Sequence, residues 1–244
     1  MSHQLFNYLP ISPLGFSILA LLFAALVALI EIGVLRIAYL QLGLSGRAAT
    51  LLLLASLAGG YVNIPLFQLS QEHVLSGREV AVFGMVYIVP EVVNWPGTIV
   101  AINLGGAVIP LALSLYLLAR HALWVRGGLA ILGVAFIVHR LAQPVPGVGI
   151  VVPIFTPPLA ATLVALVLSR RRAAPLAYVS GSMGTLLGAD LLNLERIRGI
   201  GAPVASIGGA GTFDGVFVSG VLAVLIASLG AGGLAPPPRR PWDR

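Results

Sequence analysis

The chain has 244 residues, of which 58% are hydrophobic and only 9% charged, and its mean hydropathy is +1.01. A soluble domain of this size is roughly a quarter charged, so the composition excludes an ordinary water-soluble domain. The lack of cysteine excludes disulfides, thiolate metal sites and cysteine nucleophiles, and the net charge of +6 belongs to arginines at the ends of apolar runs, which argues against nucleic-acid binding.

The expected fold class is an all-α membrane protein. A crossing takes about 20 apolar residues. Apolar runs fall at 14–35, 48–68, 97–119, 127–143, 150–169, 174–193 and 203–230, which predicts about seven transmembrane helices. The runs are continuous rather than alternating, which disfavours a barrel. Met1 to Ser12 lacks a basic n-region, so no cleavable signal is expected. Residues 1–235 read as a single membrane domain. The tail Pro236-Pro-Pro-Arg-Arg-Pro-Trp-Asp-Arg244 reads as disordered, cytoplasmic and suited to anionic headgroups.

Orientation follows from the arginines, which are the sole cations besides histidine. With the N-terminus outside, ten lie in inner segments and four outside: Arg78, Arg140, Arg196 and Arg198. That bias predicts a prokaryotic inner or plasma membrane protein with an outside N-terminus and a cytoplasmic C-terminus.

Between the second and third runs lies a polar segment, about 70–96. Within it, Glu79-Val-Ala-Val-Phe-Gly-Met-Val-Tyr-Ile-Val89 is β-branched and aromatic about Gly84. That predicts a small external β-hairpin. Five prolines, Pro144 to Pro158, break the fifth run, so this stretch is a loop, a kinked start to a span or a re-entrant segment. Gln143, just before them, is placed to bring backbone carbonyls to a polar cavity, though an ordinary kinked loop explains it as well.

Asn103-Leu-Gly-Gly-Ala107 resembles Ser206-Ile-Gly-Gly-Ala210, and Asn63 and Asp190 close the second and sixth runs at comparable places. These matches predict a 3+1+3 parallel repeat, as in some transporters, with the hairpin inserted in the first half. Chance similarity between glycine-rich helices is the competing explanation.

Ionisable side chains inside spans are costly and usually functional. Asp190 ends Gly184-Thr-Leu-Leu-Gly-Ala-Asp190 and Asp214 ends Gly208-Gly-Ala-Gly-Thr-Phe-Asp214. Gly184 and Gly188, and Gly211 and Gly215, are spaced for close helix packing. Antiparallel sixth and seventh spans are therefore expected to set the two carboxylates within about 8 Å, sharing a proton or cation, or bridged by water. The competing reading makes Asp214 a helix cap and pairs Asp190 with Arg196 or Arg198 at the interface. Asn63, Asn103 and Asn193 are the neutral amides of the same candidate ligand or ion site; holding helices together is their plainer role. No metal-ligand spacing, catalytic triad, phosphate loop or dinucleotide fingerprint occurs, so no metal and no cofactor is expected.

Ala177-Tyr-Val-Ser-Gly-Ser-Met-Gly-Thr-Leu-Leu-Gly-Ala-Asp-Leu-Leu-Asn-Leu194 and Gly201-Ala-Pro-Val-Ala-Ser-Ile-Gly-Gly-Ala-Gly-Thr-Phe-Asp-Gly215 resemble the domain-of-unknown-function 1614 (DUF1614) family of prokaryotic membrane proteins. Pro144-Val-Pro-Gly-Val-Gly-Ile150 and Val100-Ala-Ile-Asn-Leu-Gly-Gly106 fit the same family. The resemblance implies membrane location and carries no activity. A looser likeness is to intramembrane aspartyl proteases, with one aspartate on each of two neighbouring helices. Here the Gly-x-Gly-Asp spacing and the Pro-Ala-Leu signature are missing. The leading expectation is a small carrier or binding protein, with the lipid bilayer and a small molecule or ion as partners. An aspartyl hydrolase using Asp190 and Asp214, and a non-catalytic scaffold, are the alternatives.

Overall fold

The computed structural model describes residue 21 and residues 32–69, 72–82, 85–95, 97–145, 149–197, 204–209 and 215–230, with the backbone alone for the hairpin. Most of the first apolar run, the turn at Gly84, Asp214 and the tail 236–244 lie outside the described residues.

The chain is mostly helical. The described helices are α1 (Ile32–Gln41), α2 (Gly46–Gly59), α3 (Ile109–His121), α4 (Trp124–Leu141), α5 (Thr156–Leu168), α6 (Ala173–Thr185) and α7 (Gly215–Gly230). Local chemistry sets several of their ends. The Ser45 hydroxyl accepts the Ala48 N–H and caps α2. Pro110 lies in the first turn of α3 and Pro157 and Pro158 in that of α5, where a missing N–H costs nothing. α3 stops at Ala122, which takes the left-handed conformation at φ 51°.

Several apolar runs turn out to be composite, and for those from 48, 97 and 174 this corrects the expectation of uninterrupted spans. The run from 48 holds α2 and then strand β1 (Asn63–Gln68). The run from 97 opens with β4 (Ile99–Asn103), passes through a π-helical turn, Leu104–Val108, and only then becomes α3. The run from 174 continues from α6 through a π-helical turn, Leu186–Asp190, into a 3-10 segment, Leu191–Ile197. The last run begins as β7 (Val204–Ile207) before α7. In β4 and β7 the cause is β-branching: Ile99, Val100 and Ile102, and Val204 and Ile207, are apolar enough for a span yet favour extended backbone.

These strands meet in one sheet of order β1-β4-β7. β1 runs antiparallel to β4 with Asn63 opposite Asn103, and the ladder shifts register between Pro65 and Phe67. β4 runs parallel to β7, from Ile99 opposite Val204 to Ile102 opposite Ile207. The hairpin expected about Gly84 is present and longer than its sequence core. β2 (Glu72–Val82) pairs with β3 (Met85–Trp95) from Glu72↔Trp95 to Val82↔Met85. The proline-rich stretch resolves into a short ribbon, β5 (Gln143–Val145) against β6 (Gly149–Val151), followed directly by α5.

α6 is the hub. Every residue from Pro175 to Thr185 is buried, and α3, α4, α5 and α7 pack round it. Its glycines face different neighbours, which corrects the expected Gly184/Gly188 seam with the last helix. A Cβ at Gly184 would lie 2.7 Å from Val134 Cβ and one at Gly188 2.9 Å from Ala135 Cα, so that face meets α4. α7 instead meets Gly181, whose Cβ would stand 2.9 Å from Ser219 O.

Large apolar side chains remain on the outside of the bundle, among them Leu115, Leu129, Leu132, Phe136, Leu163 and Val167. Among the described residues, two helices, Leu104–His121 and Trp124–Leu141, are long and apolar enough to cross a membrane.

At the sheet end, α2 and the π-helical turn approach backbone to backbone. A Cβ at Gly105 would press on Ser56 O and lie 2.7 Å from the Gly59 carbonyl carbon. Gly105→Ala is therefore expected to cost about 2 kcal/mol or more by overpacking. Gly128→Ala, where a Cβ meets nothing within 4 Å, should leave stability unchanged or slightly raised. Thermal unfolding of the two variants in detergent checks the contrast; equal midpoints would show that the close approach does not constrain the fold.

Candidate functional site

The sheet end gathers the polar residues. Asn103 closes β4 and is 1% exposed. Its Oδ1 accepts the Gly106 N–H at 2.8 Å, capping the π-helical turn that follows. Its Nδ2 donates to Gly60 O at 2.8 Å and to Asn63 Oδ1 at 3.0 Å. Antiparallel pairing puts Asn63 directly opposite Asn103, so the amide contact follows from the ladder register. Asn63 Oδ1 also accepts from Ser206 Oγ at 2.5 Å. One oxygen thus ties β1, β4 and β7 together.

Asp190 enters from below the same sheet. It is the last residue of the π-helical turn that extends α6, and its Oδ2 accepts the Gly208 N–H at 2.7 Å. Gly208 presents that N–H because it sits at φ 73°, a conformation side chains disfavour. A Cβ there would lie 2.6 Å from Ala107 Cβ, so the strand end lies flat against the start of the third helix. A Cβ at Gly209 would be 2.8 Å from Asn103 Cβ. The 206–209 segment therefore joins the Asn63–Asn103–Ser206 network to Asp190.

Asn193 acts one turn further on. Its Nδ2 donates to Gly188 O at 2.8 Å and Ala189 O at 2.9 Å, carbonyls that the change from π to 3-10 geometry releases. Its Oδ1 is buried and has no partner among the described residues. The Gly208 N–H is the hydrogen-bond donor to Asp190 among the described residues, and Arg196 makes no bond to it.

Of the expected site residues, Asn63 and Asn103 touch, Asp190 joins them through Gly208 and Gly209, and Asn193 buttresses the turn that carries Asp190. Asp214 lies outside the described residues. Sequence reasoning missed the Ser206 hydroxyl and the Gly208 N–H as site groups. Their signal is Ser206-Ile-Gly-Gly209, where a glycine pair closes a β-branched stretch; in the sequence it stands out only as half of a repeat.

Chemically, the cluster is rich in acceptors. The Asp190 carboxylate accepts one oriented backbone N–H, the Ser206 hydroxyl bonds Asn63, and the Asn193 amide oxygen is without a partner among the described residues. Such a set suits a proton, a small cation or a ligand with hydrogen-bond donors.

The fold and cluster define a bundle of interrupted helices whose breaks meet in a small sheet that carries Asn63, Asn103 and Ser206. Residues 57–226, well over half the chain, match the DUF1614 family, described as a protein of unknown function, and the chain belongs to that family. The matched stretch includes Asn63, Asn103, Asp190, Asn193 and Asp214. No curated protein and no solved structure matched the chain.

Asn103→Ala strands Gly60 O and the Gly106 N–H and leaves Asn63 Oδ1 with the Ser206 hydroxyl alone, and is expected to cost about 2–3 kcal/mol. Asn63→Ala should cost less, because that residue is exposed. A double-mutant cycle by chemical unfolding should give a coupling near 1 kcal/mol for the pair. Additive losses would mean that the amide contact carries no energy.

Proposed function

We propose that the protein is a small membrane-embedded carrier or binding protein whose polar site centres on Asp190. The observation that carries this reading is the Asp190–Gly208 hydrogen bond, which puts a carboxylate where three broken helices converge. Asn63, Asn103 and Asn193 complete the site. Asp214, one residue before α7, supplies the second carboxylate, and the pair handles a proton or cation together.

Seven crossings, in a prokaryotic inner or plasma membrane, complete this reading. Its support is the outward band of Leu, Val and Phe on α3, α4 and α5 together with the sparse charge. The arginine-rich turns face the cytoplasm and the β2–β3 hairpin lies outside. The 3+1+3 repeat is also part of the proposal. Helix–strand–helix units, α2–β4–α3 and α6–β7–α7, lie side by side with their strands parallel. The ladder sets Ala101, not Asn103, opposite Ser206, so the two units are slipped by two residues relative to the sequence match.

Reporter fusions at Ser45, Gly84, Arg172 and the C-terminus should read in, out, in, in. A C-terminus that reads outside would remove one crossing from this scheme.

Asp190→Asn keeps the shape and the Gly208 bond while deleting the charge. In proteoliposomes loaded with a pH-sensitive dye, the wild type should carry protons or sodium down an imposed gradient. Asp190→Asn and Asp214→Asn should each abolish that flux, with unfolding free energies that move by no more than about 1 kcal/mol. Flux that survives either substitution, or a wild type that carries neither ion, would sink the coupled-carboxylate site.

A further inference from the structure

The end of the bundle away from the sheet is built from different chemistry. Three turns meet there: α1–α2, α3–α4 and α5–α6. Several contacts show that they share one end. The Arg172 guanidinium, before α6, donates to His121 O, the last residue of α3. Tyr39 of α1 packs against Tyr178, near the start of α6, with ring centroids 6.2 Å apart. Arg36 reaches the start of α2, 3.1 Å from where a Gly46 Cβ would stand.

All the arginines of these turns are exposed: Arg36 and Arg47, Arg120 and Arg126, and the 3-10 triplet Arg170–Arg172. Among the described residues no carboxylate pairs with them. Residues 32–59, 104–141 and 149–185, which include all three turns, contain no Asp or Glu. Like charges this close repel one another, and a multivalent anion relieves that repulsion.

The α3–α4–α6 corner of this surface is tied by side-chain contacts. Arg172 uses one of its five N–H donors on His121 O, which fixes the guanidinium beside Arg120. Arg120 is held in turn by the Tyr116 hydroxyl and lies 5.6 Å from that ring's centroid. Arg126 lies in the first turn of α4. Neither Leu123, before α4, nor Arg172, before α6, makes a side-chain cap, so the first-turn N–H groups of both helices add to the positive potential. Trp124 and Tyr116 are half exposed at the same level, as aromatic side chains are at a headgroup boundary. Behind them the surface is apolar, with Leu129 and Leu132 on α4 and Val167 on α5.

We propose that this corner, built on the Arg172–His121 clasp, holds the phosphate headgroup of an anionic phospholipid. The arginines supply the charge and forked donors that a phosphate takes. The aromatic pair sets the depth, and the acyl chains lie on the apolar flank of α4. The proposal rests on the membrane reading above and is independent of the Asp190 site.

The test uses the full chain in nanodiscs of phosphatidylcholine alone and in nanodiscs with about a third phosphatidylglycerol, followed by native mass spectrometry and thermal unfolding. The protein should retain phosphatidylglycerol over phosphatidylcholine and unfold at a higher temperature in the mixed discs. Arg126→Gln, Arg171→Gln and Arg172→Gln should each cut that selectivity about fivefold, whereas Arg140→Gln, at the other end, should not. If a variant fails to fold, the wild type alone decides, since its selectivity should fall as salt is raised. Retention without lipid preference, or preference unchanged in the three variants, overturns the headgroup site and leaves the membrane reading intact. The same upward shift from inorganic phosphate in neutral discs also overturns it, in favour of a soluble anion. A chain that enters neither disc overturns the membrane reading and the headgroup site together.

Discussion

Wherever a helix stops, backbone N–H and C=O groups lose their partners, and they must find others if water is scarce. This chain stops its helices at one common level and satisfies the freed groups internally. β1, β4 and β7 take up backbone beyond α2, ahead of α3 and ahead of α7. Side chains satisfy the groups that remain. Asn103 takes Gly60 O and the Gly106 N–H, Asn193 takes two carbonyls of the π-helical turn, and Asp190 takes the Gly208 N–H. The candidate site is therefore made of the groups that repair the helix breaks. Structure and chemistry are inseparable there, because the Asn103 and Asn193 amides of the site also close gaps in the backbone network.

Close packing makes the repair feasible. Glycine at 59, 105 and 208 brings main chains to distances at which a side chain could not intervene. α6 gives the polar end a fixed support, since it is enclosed by four helices and contains four glycine or serine residues from Ser180 to Gly184. The same helix begins beside Arg172 and leads into Asp190. One rigid, fully packed element thus links the basic end of the bundle with the acidic one.

Much of this was legible in the sequence, within a definite limit. Continuous apolar runs located the helices, and β-branched residues about Gly84 located the hairpin, whose ladder closes at Val82 and Met85 round two residues. The runs did not reveal where a helix gives way to a strand. Val100-Ala-Ile and Val204-Ala-Ser-Ile have the hydropathy of a span, and hydropathy does not distinguish a buried strand from a buried helix. Asn63, Asn103 and Asp190 stood out because amides and carboxylates are rare in such surroundings. Their partners did not, since Gly208 acts through a backbone N–H and its φ, neither of which composition records. The Gly184/Gly188 spacing announced a tight helix contact correctly but not its partner: α4 rather than α7 occupies that face.

The parallel pairing of β4 with β7 has a consequence for the order of assembly. β1 and β4 are separated only by a hairpin, so their pairing is available once the first half of the chain has been made. β7 emerges about a hundred residues later, after α4, α5 and α6. Until then the far edge of β4 is an open template of unpaired N–H and C=O groups, the feature through which immature sheets associate wrongly. Completion of the central sheet is thus a strongly non-local event in the fold. A nascent protein halted before Val204 would have most of its helices and still lack the strand that protects that edge.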